Sequence, residues 1–172
     1  MFRFTGVYLF SSRELINIAM AGANPSGNSL KFMKNRATAI ILRNGQILLI
    51  RRQKPGQDYY ILPGGGVELD ESFEEACRRE VMEETGLDVL GLQAVHRYFY
   101  GGGEEVYFIA RVPEGEPLLG GVEARRQSEQ NRYTFEWADA GRLAELNVRP
   151  AAARRICLEI LNRFARMPNN DG

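Results

Sequence analysis

A chain of 172 residues that is 44% hydrophobic can bury the core of one domain and has too little material for two. Its 22 Lys and Arg balance its 22 Asp and Glu, which argues against a DNA or RNA track and against a basic membrane patch. Cys77 and Cys157 make neither a disulfide framework nor a zinc site. No apolar run reaches the ~18 residues of a membrane span, and no targeting signal opens the chain, so the expectation is a cytoplasmic protein with no membrane partner.

Residues 1–35 read as an N-terminal extension. Phe2, Phe4, Val7, Leu9 and Phe10 roughly alternate, as an edge strand would, and Ala23 to Ser29 have loop composition. An edge strand, a pocket cover and a homodimer contact are all open for it. Residues 36–168 form the main domain, and 169–172 should be a frayed tail.

Ala37–Arg43 and Gln46–Arg52 flank Asn44-Gly45, a two-residue hairpin signal. Arg51, Arg52 and Lys54 close the second strand; they are either a solvated strand end or the start of an anion site. Tyr59 to Leu62 is a short strand broken at Pro63. Gly64, Gly65 and Gly66 read as a tight turn whose backbone can approach a ligand closely.

Ser72 and Glu75 form a capping box, so a helix starts there and stops at Gly86. At about 100° per residue, Phe73, Ala76, Cys77 and Val81 share one side, with Glu80 and Glu84 in its middle and Glu83 at its edge. Arg78, Met82 and Thr85 face away, and Arg79 lies within reach of Glu75 and Glu83. Carboxylates on the apolar side of a helix are costly unless a cation meets them. Acids one turn apart suit Mg²⁺ or Mn²⁺, and a solvated acidic helix is the competing reading.

Leu92–Tyr100 and Glu105–Val112 are strands around a glycine tip, Gly101 to Gly103. Glu123–Arg132 reads as a polar rim or lid. Tyr133, Phe135 and Trp137 alternate as the last strand, Asp139 caps a short helix over Gly141–Leu146, and Pro150 starts a final helix. That helix buries Ala153, Ile156, Cys157, Ile160, Leu161 and Phe164. His96, the sole histidine, sits in a strand and reads as structural.

Gly65, Glu71, Arg79, Glu80, Val81, Glu83, Glu84, Gly86 and Leu87 fit every position of the box of the Nudix hydrolase family, which the chain resembles. Leu62-Pro63-Gly64-Gly65 before the box and Phe135-Glu136-Trp137 near the end resemble it too. The resemblance implies an α/β/α sandwich with a mixed sheet between helices. It also implies metal-dependent hydrolysis of a diphosphate linkage in a small nucleotide substrate.

By position, the resemblance implies metal ligands at Glu80, Glu83, Glu84 and the Gly64 carbonyl, with Glu80 able to serve as base. Gly65, Glu68, Glu71 and Arg79 support the box, and Arg51 or Arg52 holds substrate phosphates. One further catalytic acid comes from a loop beyond the box; Glu129 is the choice, with Glu104, Glu105 and Glu123 as rivals. Glycines at 101–103 stand where members cleaving ADP-ribose carry a proline, and Tyr107 is a poor match to dinucleoside-polyphosphate members. A nucleoside triphosphate or nucleoside diphosphate derivative is therefore the first expectation. The alternatives are an ADP-ribose or nucleotide-sugar pyrophosphatase, RNA 5′-end hydrolysis, and a non-catalytic nucleotide-binding module.

Overall fold

The computed structural model describes residues 35–100 and 103–166. The readings made for the N-terminal extension, for Gly101 and Gly102 and for the tail lie outside them.

Seven strands form one mixed sheet: β1 (Arg36–Arg43), β2 (Gln46–Lys54), β3 (Gln57–Ile61), β4 (Gly64–Gly66), β5 (Gly91–Tyr100), β6 (Gly103–Arg111) and β7 (Arg132–Ala138). The order is β3-β2-β1-β6-β5, with β4 pairing β1 and β7 pairing β2. The β1–β6 pair is parallel and the others are antiparallel. Asn44 (φ 50°) and Gly45 (φ 73°) make the β1–β2 turn, the left-handed pair that matches strand twist.

Among the described residues there are four helices: α1 (Phe73–Thr85), α2 (Gly121–Arg125), α3 (Ala140–Glu145) and α4 (Ala151–Phe164). Strand alternation divides the core in two. Ala37, Ala39 and Ile41 of β1 pack with Ala76, Cys77 and Val81 of α1. Ile40 between them packs with Ile156, Cys157 and Ile160 of α4 on the other side. Helices thus cover both faces of a mixed sheet, as the resemblance implies. Asp139 caps α3, accepting from the Arg142 N–H at 2.8 Å.

Two expectations need correction and one gains detail. Gly64–Gly66 is a strand rather than a turn, because its backbone pairs with β1 from Arg36↔Gly66 to Thr38↔Gly64. Gly64 lies so close to that strand that a Cβ would sit 2.3 Å from the Ala37 carbonyl oxygen. The stretch read as a rim or lid carries α2 at its start and a turn in which Ser128 and Asn131 exchange backbone hydrogen bonds. Thr85 does not face away: it is fully buried, because the segment before α2 folds over it and the Leu118 N–H donates to its carbonyl.

Candidate active site

The capping box forms as read: Ser72 Oγ accepts from the Glu75 N–H, and Glu75 returns the bond to the Ser72 N–H. That commits the Glu75 carboxylate at the helix start, so Arg79 turns elsewhere. Its guanidinium forks onto Glu71, with Nε and Nη2 each 2.9 Å from a carboxylate oxygen. Nη1 donates to Glu80 Oε1 and Nη2 to the Gly66 carbonyl, both at 2.9 Å, and Glu83 lies 3.8 Å away. Arg79 therefore ties the loop acid Glu71, the helix acid Glu80 and strand β4 to one charge. The same fork holds the Glu71 carboxyl below the usual carboxylate range, helped by the Glu68 N–H. Glu68 itself is exposed and contributes that backbone donor.

Gly65 makes room for Glu80. A Cβ there would stand 2.1 Å from Glu80 Oε1, so any larger residue displaces the carboxylate.

Glu84 is the buried acid, 6% exposed, and its Oε2 accepts from the Gly64 N–H at 2.9 Å. Burial pushes its carboxyl up to about 8; the charges of Glu123 and Glu80 add to this, while the Gly64 N–H and Arg36 act against it. Glu83, by contrast, is half exposed at the edge of the helix face. The oxygen donors on and around this end of α1 are Glu80, Glu83, Glu84, Glu123 and the Gly64 carbonyl, all of a kind suited to a hard divalent cation rather than a soft one. Among the described residues no group of three acids, histidines or cysteines is placed to hold a metal ion. The carbonyl is held by Arg36 Nη2 at 2.6 Å, and Glu80 by Arg79.

The acid from outside α1 whose charge reaches Glu84 is Glu123, on α2. Helix α2 is seated on the end of α1: the Gly120 N–H donates to the Glu84 carbonyl at 3.2 Å. Gly120 has no room for a Cβ, which would lie 2.3 Å from the Glu83 carbonyl oxygen. Glu129 stands in the Ser128–Asn131 turn, and Asn131 accepts from Arg52 Nε at 3.2 Å. Arg51 forks onto Asp58, and Arg52 also donates to the Tyr59 hydroxyl at 3.1 Å.

A cleft of about 280 Å³ opens on the α4 side of the sheet, lined by Arg36, Thr38, Leu62, Glu105, Tyr107 and Arg149 among others. Its polar floor is built: Thr38 Oγ1 donates to Glu105 Oε1 at 2.6 Å. Arg51 and Arg52 are not part of its lining. Arg36, Thr38 and Arg149 had no signal in the sequence, since their partners lie tens of residues away.

The NUDIX domain family model matches residues 33–159, which is most of the chain and includes the whole box and both helical layers. The chain belongs to the Nudix family. It is 51% identical over 49 residues to an ADP-ribose pyrophosphatase of Methanocaldococcus jannaschii, an alignment spanning 28% of this chain and 29% of that protein. It is 31% identical over 108 residues to the NAD-capped RNA hydrolase NudC of Haemophilus influenzae, spanning 57% of this chain and 36% of that one. The chain thus spans about a third of the length of these curated Nudix relatives. Among solved structures it resembles a MutT NUDIX hydrolase from Burkholderia pseudomallei, with TM-score 0.55, 26% identity and coverage of 73% and 95% of the two chains. No helix among the described residues is long and apolar enough to cross a membrane.

Proposed function

We propose that this Nudix chain hydrolyses a diphosphate linkage in a nucleotide, using Mg²⁺ or Mn²⁺, with nucleoside triphosphates as the first substrates to test. One observation carries the reading. Glu84 is buried against the Gly64 N–H, under the negative charge of Glu80 and Glu123, where a bound cation would favour its ionised form.

Glu80, Glu83, Glu84 and the Gly64 carbonyl are the groups that would hold the metal. When bound, it supplies Lewis-acid stabilisation of charge on the phosphates and a lowered pKa for the attacking water. The chain supplies the rest. Arg79 orients Glu80 and fixes β4 against α1. Glu123, rather than Glu129, is the outside acid: it takes the proton of the water that attacks phosphorus, because its charge already acts on Glu84. The nucleoside lies in the 280 Å³ cleft, whose volume is just below the usual range of small-ligand sites. Arg51 and Arg52 keep a role toward the outer phosphates only if they leave Asp58 and Asn131. The reaction is placed in the cytoplasm with a free nucleotide as partner.

A screen with Mg²⁺ or Mn²⁺ against nucleoside triphosphates, nucleotide sugars, ADP-ribose and dinucleoside polyphosphates tests the proposal. Metal-dependent release of phosphate or pyrophosphate from a triphosphate is the expected result. Saturable binding with no product would identify a non-catalytic module instead. Cleavage of ADP-ribose alone would favour the second reading, toward which the Methanocaldococcus relative points.

A further inference from the structure

Arg36 is the residue that joins the cleft to the carboxylates. It stands at the start of β1 and lines the cleft with Thr38. Its Nη2 nevertheless reaches across to β4 and donates to the Gly64 carbonyl at 2.6 Å. The carboxylate it faces, Glu105, is 3.5 Å from Nε and already accepts the Thr38 hydroxyl at 2.6 Å. The Arg36 side chain is 39% exposed, so packing does not lock its head in place.

A guanidinium offers a planar fork that matches the two oxygens of a phosphate, and here its short bond goes to one neutral carbonyl. That carbonyl is also one of the donors assigned above to the divalent cation. A guanidinium and a dication cannot both sit on it, since like charges a few ångströms apart repel strongly in a site of low dielectric. The arginine head, once displaced, has beside it the cleft that it already lines.

Resting on the function proposed above, we propose that Arg36 is a positioning residue that exchanges partners. In the metal-free chain it caps the Gly64 carbonyl; it yields that carbonyl to the cation and then grips the substrate's phosphates where they pass from the carboxylates into the cleft. A purely structural Arg36, stapling β1 to β4, would do neither of the last two things.

The test uses Mn²⁺ titration of the full chain by electron paramagnetic resonance, without nucleotide, on the wild type, Arg36→Met and Arg36→Lys. Removing the competitor should make Arg36→Met bind Mn²⁺ at least threefold more tightly than wild type. Its KM for the substrate found in the screen should rise tenfold or more, with a smaller change in kcat. Arg36→Lys, which keeps the charge without the fork, should fall between the two in KM. Equal or weaker Mn²⁺ binding by Arg36→Met, or an unchanged KM, overturns the exchange. If Arg36→Met fails to fold by circular dichroism, Arg36→Gln carries the same comparison. A wild type that neither binds Mn²⁺ nor turns over any substrate would sink the proposed function as well, whereas loss of the Arg36 effects alone would leave it standing.

Discussion

Glu84→Gln should push stability and activity in opposite directions, and the structure gives both signs. Glu84 titrates near 4.5 in the unfolded chain and is raised to about 8 in the folded one, chiefly by burial. Between those values the native state binds more protons than the unfolded state, so its stability falls as pH rises across that window. The full displacement, at 1.36 kcal/mol per pH unit, sets a ceiling of about 5 kcal/mol at pH 8 if nothing in the site relaxes. Glutamine keeps the acceptor for the Gly64 N–H but buries an NH₂ group, which costs about 1–3 kcal/mol where it finds no acceptor. The net gain for the metal-free variant at pH 8 is therefore about 2 kcal/mol, a rise of several degrees in Tm for a domain of this size. At pH 5 the wild type's ionisation cost shrinks to about 1 kcal/mol while the amide cost persists, so the variant should melt no higher than the wild type. Thermal melts in chelator from pH 5 to 8 measure this, and parallel melts with Mg²⁺ should stabilise the wild type but not the variant. The same substitution should remove most turnover. A variant less stable than wild type at pH 8 without metal, or one with near wild-type rates in saturating Mg²⁺, would refute the argument that Glu84 is an acid kept for a cation.

Gly65→Ala should fold, because its Cβ meets the movable end of Glu80, yet should lose about 10–100-fold in activity by driving that carboxylate off Arg79. Gly64→Ala should instead fail to fold or melt far lower, since its Cβ meets backbone at 2.3 Å and its φ is 145°. Expression and melting of the two alanine variants side by side make the comparison. Glu123→Gln should lower kcat by about 10²-fold, within the range for a lost general base, while Glu129→Gln leaves it unchanged. The reverse pattern would return the role to Glu129. Glu71, held low by Arg79, contributes stability that is present above the unfolded carboxyl value of 4.5 and lost as pH falls through its lower folded value. Glu71→Gln should therefore make the acid limb of a pH–stability curve shallower, as read by urea melts from pH 2 to 6.

Local chemistry was legible in the sequence; encounters across the chain were not. The Ser72–Glu75 box, the Asn44-Gly45 turn and the Asp139 cap each need only neighbours within a few residues, and all three form. Glu80 and Glu84 could be placed on the inward side of α1 from helical spacing alone. Thr85 could not, because what covers it arrives with Leu118, more than thirty residues later. The three glycines read as a turn because their composition permits one; the strand exists only through pairing with Arg36 to Thr38. Glu123 had no advantage over Glu129 until Gly120 was seen docked on the end of α1.

Strand β1 has a further consequence. Its odd-numbered side chains, Ala37, Ala39 and Ile41, support the helix that carries the acids, while Arg36 and Thr38 look into the cavity on the opposite side. The support of the acid-bearing helix and the lining of the cavity thus hang from one strand but on opposite parities. On the proposed function, a substitution at Thr38, whose side chain bonds to Glu105 of β6 rather than to β4 or α1, would alter the cavity while leaving the supports of the acid-bearing helix in place.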